Sequence, residues 1–171
     1  MISGIAHINL LVPPGTLPHA TTFYSETLGL TPRAVPAHRV HDLAWFDIGE
    51  SGQQVHIAPG TNEAKSSRHP CFKIGSPEQL IELRARIWAH HERGGEAAPL
   101  EADQPGGVNS GMFLFHLFLS HCIVIGWIYV WEFYCGRVLT RTFRETGDQG
   151  VEYPQRFFAR DYAGNRLEFS L

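Results

Sequence analysis

The sequence predicts an α+β fold built from two successive β-α-β-β-β units, and three observations predict it. Two β-type runs, Ile5-Ala-His-Ile-Asn-Leu-Leu-Val12 and His69-Pro-Cys-Phe-Lys-Ile74, are each followed by a helical pattern. Each helix leads into further short β-type segments. Each unit then closes on a run that carries one more chemistry-bearing side chain, His56 in the first and Glu168 in the second.

In the first unit, residues 1–60, the opening strand stops at Pro13-Pro14-Gly15, a turn signal. Thr16 is placed to cap the helix that follows, and Pro18 sits in its first turn. Leu17, Ala20, Phe23, Tyr24 and Leu28 recur at helical spacing, and Gly29 ends the helix. Three strands then follow over residues 31–35, 43–48 and 53–58, punctuated by Pro36, Gly49 and Gly52.

The second unit, residues 66–171, opens on His69. Ser76-Pro-Glu-Gln79 starts its helix with a capping box and a proline at the first helical position. Leu80, Leu83 and Ile87 supply the buried face, and Gly94-Gly95 stops it. Residues 97–100 read as a short strand and 103–111 as a polar, glycine-rich loop. The last two strands, 155–160 and 166–171, flank the turn Asp161-Tyr-Ala-Gly-Asn165.

At 171 residues the chain holds one domain made of two modules. A formal charge of −3 leaves no basic stripe to displace counterions from phosphates, so nucleic acid is excluded and a small molecule is the expected partner. Cys71, Cys122 and Cys135 are an odd set without paired spacing, which favours a reducing cytoplasm over a disulfide framework. The first eleven residues lack the basic region of a signal peptide.

A lone strand histidine is more often a satisfied polar group than a ligand. The repeat reverses those odds here. His7 and His69 occupy matching places on the opening strands, His56 and Glu168 matching places on the closing ones, and alternation lets all four face inward on a curved sheet, where the two pairs converge on one centre, while Ile8 and Leu167 pack on the helices. Three imidazoles and a carboxylate suit zinc, iron(II), manganese or nickel with a position left open for catalysis. His19, His38, His41, His90 and His91 lack such placement and read as surface or loop residues. Cys71 shares the strand face of His69 and reads as a small buried hydrophobe.

At these residues the chain resembles the vicinal-oxygen-chelate superfamily of glyoxalase I, fosfomycin-resistance proteins, bleomycin-resistance proteins and extradiol dioxygenases. The matching pieces are His7-Ile-Asn-Leu-Leu-Val12, Phe23-Tyr24 with Leu28-Gly29-Leu30, Gln53-Gln-Val-His56, His69-Pro-Cys-Phe72 and Asp161-Tyr-Ala-Gly-Asn-Arg-Leu-Glu168. The resemblance implies a cupped eight-stranded sheet and a metal that chelates two adjacent oxygens of a small substrate. It implies His7, His56, His69 and Glu168 as ligands, with His56 and Glu168 also moving protons, and modules that pair within one chain or across a homodimer. Glyoxalase-like lyase or isomerase chemistry is favoured. The extradiol dioxygenase alternative is weakened because Phe158 stands where those enzymes place a tyrosine, and a phenyl ring moves no proton. A metal-free binder of the bleomycin-resistance kind is the alternative outside enzymes.

Residues 112–131 carry no charged side chain apart from two histidines, long enough in principle to span a membrane. A single crossing would separate Glu168 from His69, so a membrane role is not expected. The segment at about 111–145 reads instead as an insert, a translated intron: Gly111-Met-Phe113, Leu139-Thr140 and Phe143-Arg144 can be encoded by fungal-type donor, branch-point and acceptor sequences; the competing readings are a membrane-facing hairpin and a helical lid over the pocket, whose apolar surface would need a partner.

Overall fold

The computed structural model describes residues 1–63, 65–105 and 156–171. The apolar segment, and its reading as an insert, lie outside the described residues.

The expected α+β architecture is present. In the first sheet, β1 (His7–Val12) runs parallel to β4 (Gln54–Pro59), which pairs antiparallel with β3 (Ala44–Asp47), itself antiparallel to β2 (Thr31–Arg33). The second sheet repeats this order: β5 (Cys71–Lys73) runs parallel to β8 (Arg166–Ser170), followed by the antiparallel β7 (Arg156–Arg160) and β6 (Glu101–Ala102). The eight strands form two four-stranded sheets among the described residues, where the resemblance implied one cup. The short strand expected at 97–100 falls instead on Glu101–Ala102; Ala97 and Ala98 are buried ahead of it.

The parallel first-to-last pairing in each sheet requires a crossover, and a helix supplies it. The second helix, Pro77–Arg93, matches its sequence signals: the Ser76 side chain accepts from the Gln79 amide at 3.3 Å, Pro77 occupies the first turn, and Gly94 closes the helix at a φ of 70°. The first helix departs from expectation. Its regular part is Thr21–Thr27, wound with wide i to i+5 hydrogen bonds such as Leu28 N to Phe23 O at 3.0 Å. Thr16 caps nothing in it; its hydroxyl donates to Pro13 O at 2.8 Å and tightens the preceding turn.

Both helices lie against the inner faces of the sheets, so one apolar cluster serves the pair. Val12, Phe46, Val55 and Ile57 come from the first sheet, Phe157, Leu167 and Phe169 from the second, and Phe23, Tyr24, Leu83 and Ile87 from the helices. Each such side chain is worth about 1.5–3 kcal/mol when fully withdrawn from water. The turn between β7 and β8 adds polar ties. Asp161, fully buried, accepts from the amides of Ala163 and Asn165 and from the Tyr24 hydroxyl, while Asn165 Nδ2 reaches back to Leu11 O at 2.9 Å. Gly164 sits at a φ of 84°, a conformation that favours glycine. Among the described residues no helix is long and apolar enough to cross a membrane.

Candidate metal centre

Strand alternation decides what each sheet shows on its outer face. In the first sheet Phe46, Val55 and Ile57 point to the core, so Trp45, Asp47, Gln54 and His56 take the opposite side with His7. Trp45 is the direct cross-strand neighbour of His56, and their rings stack at 4.6 Å with 14° between planes. His7 stacks on the other side of His56, at 4.2 Å and 11°. A polar chain runs beside the stack: Arg33 to Asp47 at 3.5 Å, Gln54 Nε2 to Asp47 Oδ1 at 2.7 Å, and His56 Nε2 to Gln54 Oε1 at 2.9 Å. Burial, then the neighbouring His7, holds the His56 pKa below its ordinary value.

In the second sheet, Phe157, Leu167 and Phe169 face the core, which puts Phe158 and Glu168 on the outer face with Cys71 and His69. Glu168 is buried, and its two oxygens meet His69 Nε2 at 2.7 Å and Arg156 Nη1 at 3.1 Å. His69 Nδ1 lies 2.6 Å from Ser67 O. A carbonyl can only accept, so Nδ1 carries a hydrogen. The other nitrogen is thereby aimed at the carboxylate, so that a ring nitrogen and a carboxylate oxygen stand side by side. Imidazole fixed through its remote N–H is a common way of presenting a metal ligand.

Phe158, opposite Glu168, lies under two arginines: the Arg166 guanidinium is 4.3 Å from its centroid and that of Arg156 5.4 Å, with the His69 ring edge-on at 5.6 Å. The Arg166 Nε is buried with no hydrogen-bond partner among the described residues. Cys71 is exposed, with Sγ 3.2 Å from Ser170 Oγ, so the expectation of a buried hydrophobe fails: on β5 the core position belongs to Phe72.

The four expected ligands therefore come together as two pairs, His7 with His56 and His69 with Glu168. Among the described residues no three His, Cys, Asp or Glu side chains group around one point. The reason is architectural: both sheets turn their inner faces to a shared core, so the faces carrying the two pairs point away from it. The His7 and His56 planes are nearly parallel, and one ion cannot lie in both planes at once. A turn of one ring is needed before both bind the same ion.

His90, expected on the surface, is instead buried at 4% exposure, its Nδ1 2.7 Å from the Thr27 hydroxyl between the two helices. It lies on the Leu80, Leu83 and Ile87 side of the second helix, a periodicity that could have placed it inside. Sequence reasoning also missed Trp45, Asp47, Gln54, Arg156 and Arg166 as neighbours of the ligand pairs. Strand parity relative to His56 and Glu168 was the available signal.

The fold is similar to that of a Bacillus anthracis protein named for the glyoxalase family, at 21% identity and a TM-score of 0.54 over 99% of this chain and 94% of that one. It is also similar to the fosfomycin resistance protein FosX of Listeria monocytogenes, at 18% identity and a TM-score of 0.55 over 99% of this chain and 91% of that one. A FosX variant with one glutamate changed to glutamine, equally similar in fold, was crystallised with Mn(II) and 1S,2S-dihydroxypropylphosphonic acid. No family model matches the chain, and no curated protein matches its sequence.

Proposed function

We propose that this chain, whose fold is that of the vicinal-oxygen-chelate proteins, is a metal-dependent enzyme acting on a small substrate with two adjacent oxygens, by glyoxalase-like lyase or isomerase chemistry. The observation that carries the reading is the His69 and Glu168 pair, 2.7 Å apart, with His69 anchored on Ser67 O and Glu168 on Arg156. The donor types fit a divalent first-row metal, and zinc, manganese, nickel and iron(II) all match them. His7 completes the shell. Its side chain makes no hydrogen bond among the described residues and is exposed, so it is the ring free to turn. Because the pairs face away from one another in one chain, the shell closes in a homodimer, with His7 of one copy meeting His69 and Glu168 of the other.

A bound divalent ion would polarise the two substrate oxygens and acidify a C–H on one of the two neighbouring carbons that carry them. His56 takes the proton from that carbon and returns it to the neighbouring one, and Arg156 holds Glu168 in line. Arg166, fixed on Phe158 with its Nε unbonded among the described residues, favours a substrate that also carries an oxyanion group. The exposed thiol of Cys71 suits a reducing, cytoplasmic setting.

The dioxygenase alternative needs a proton-moving group at Phe158, and that phenyl ring is buried beneath two arginines. The metal-free binder draws support from the division of the ligands into pairs. Elemental analysis of the purified chain, with metal titration, separates the readings. Near-stoichiometric metal in a dimer supports the enzyme; a folded dimer that takes up none overturns it in favour of the binder.

A further inference from the structure

We propose that Asp47 and Gln54 form a positioning relay that fixes His56 with its hydrogen on Nε2, leaving Nδ1 as the proton-accepting atom and His56 outside the metal shell. The inference rests on the proposed function only for what that proton acceptor serves.

The hydrogen bonds from Asp47 to His56 can be satisfied in one direction only. The Asp47 carboxylate has nothing to donate, and its Oδ1 lies 2.7 Å from the Gln54 side chain, so the amide NH2 must face it. Arg33 Nη1 stands 3.5 Å from the other carboxylate oxygen and pairs with it. The Gln54 amide therefore turns its oxygen toward His56. That oxygen can only accept, so the 2.9 Å contact to Nε2 requires a hydrogen on Nε2. A neutral ring with that hydrogen keeps its lone pair on Nδ1, which has no hydrogen-bond partner among the described residues.

The ring is clamped as well as oriented. Trp45 covers one face at 4.6 Å and the bond to Gln54 orients the ring in its plane, so His56 stays held when His7, stacked on its other face at 4.2 Å, turns away. His7 lacks such a bond. Of the two stacked rings, His7 is the one that turns to reach a metal, and His56 stays as the base. The register of the sheet makes the relay: Asp47 lies directly across from Gln54, and Gln54 stands two residues before His56 on the same strand face.

The test is nitrogen-15 spectroscopy of the imidazoles in the full chain labelled at histidine, at pH 8, with metal content measured on the same samples. Gln54→Glu offers only acceptors to Nε2, and Gln54→Lys only donors. Wild type and Gln54→Glu are expected to show His56 Nδ1 as a bare nitrogen and Nε2 as protonated, and Gln54→Lys to reverse the two. His56→Ala is expected to keep its metal, whereas His69→Ala loses it. The relay is overturned if wild type carries the hydrogen on Nδ1, or if Gln54→Lys leaves the tautomer unchanged. The place outside the shell is overturned if His56→Ala loses metal as His69→Ala does. A wild-type chain that binds no metal but shows the Nε2–H tautomer supports the relay while removing the proposed function, so the two failures are distinguishable.

Discussion

The phenol of Tyr24 donates a 2.6 Å hydrogen bond to Asp161, both fully buried, and so ties the helix of the first module to the closing turn of the second. Asp161 is crowded with donors: Asn165 Nδ2 shares its Oδ2, and two backbone amides bond its Oδ1. Burial raises its pKa, with these hydrogen bonds working in the opposite direction. The turn at Asp161–Asn165 thus acts as a clasp between modules.

Tyr24→Phe removes one donor from a buried carboxylate without changing the ring that packs on Phe23 and Phe46. The expected cost is about 1.5–3 kcal/mol, the range for a hydrogen bond to a charged group. Urea denaturation checks it, with the midpoint falling and the slope unchanged.

The proposed dimeric shell predicts complementation. His7→Ala and Glu168→Ala homodimers each lack a ligand at both sites and should bind no metal. Unfolding and refolding them together in equal amounts produces mixed dimers in which one of two sites is intact, giving about a quarter of the wild-type metal content. A shell confined to one chain would yield none, and metal analysis after gel filtration reads the difference.

Arg166→Gln removes a cation from beside Glu168 and Phe158. Inhibition by inorganic phosphate or acetate is expected to weaken by about tenfold, in line with the loss of a charge-assisted contact. Arg33→Gln, on the other sheet, should leave that inhibition unchanged. Equal weakening in both variants would assign the effect to overall charge.

His90 supplies a pH dependence. Burial, then Arg93, lowers its pKa from 6.5, so the folded chain holds it neutral while the unfolded chain protonates it at ordinary values. The unfolded state then binds more protons just below pH 6.5, and stability falls as pH drops through that window until the folded-state pKa is passed. His90→Gln should flatten this part of the stability curve, measured by denaturant midpoints between about pH 5 and 7.

The apolar run at residues 112–131 carries a separate prediction: mature transcripts across the codons for 105–150 lack the insert. Sequencing of reverse-transcribed message decides it, and a population of messages that all retain the segment would sink the idea.

Much of the fold was legible because its signals are local. Ser76 and Pro77 fix the start of the second helix, Gly94 fixes its end, and alternation along residues 54–57 and 166–169 fixes which side chains face out. Thr16 misled because a hydroxyl after a proline turn has a nearer carbonyl to bond, and His90 because its charge-bearing ring is hidden by a partner, Thr27, that is 63 residues away in sequence. The sequence by itself determined that His7, His56, His69 and Glu168 would stand on strand faces opposite the apolar side chains, since strand period alone sets that; that these faces turn away from the shared core, and not inward on a curved sheet as the sequence led one to expect, was decided by the packing of both sheets on the helices. Only the tertiary structure decided that they stand as two pairs, that His56 is clamped by Trp45 and Gln54, and that Glu168 shares its oxygens between His69 and Arg156. Those outcomes depend on how two sheets close over shared helices and on cross-strand register, which arise from the packing of distant segments.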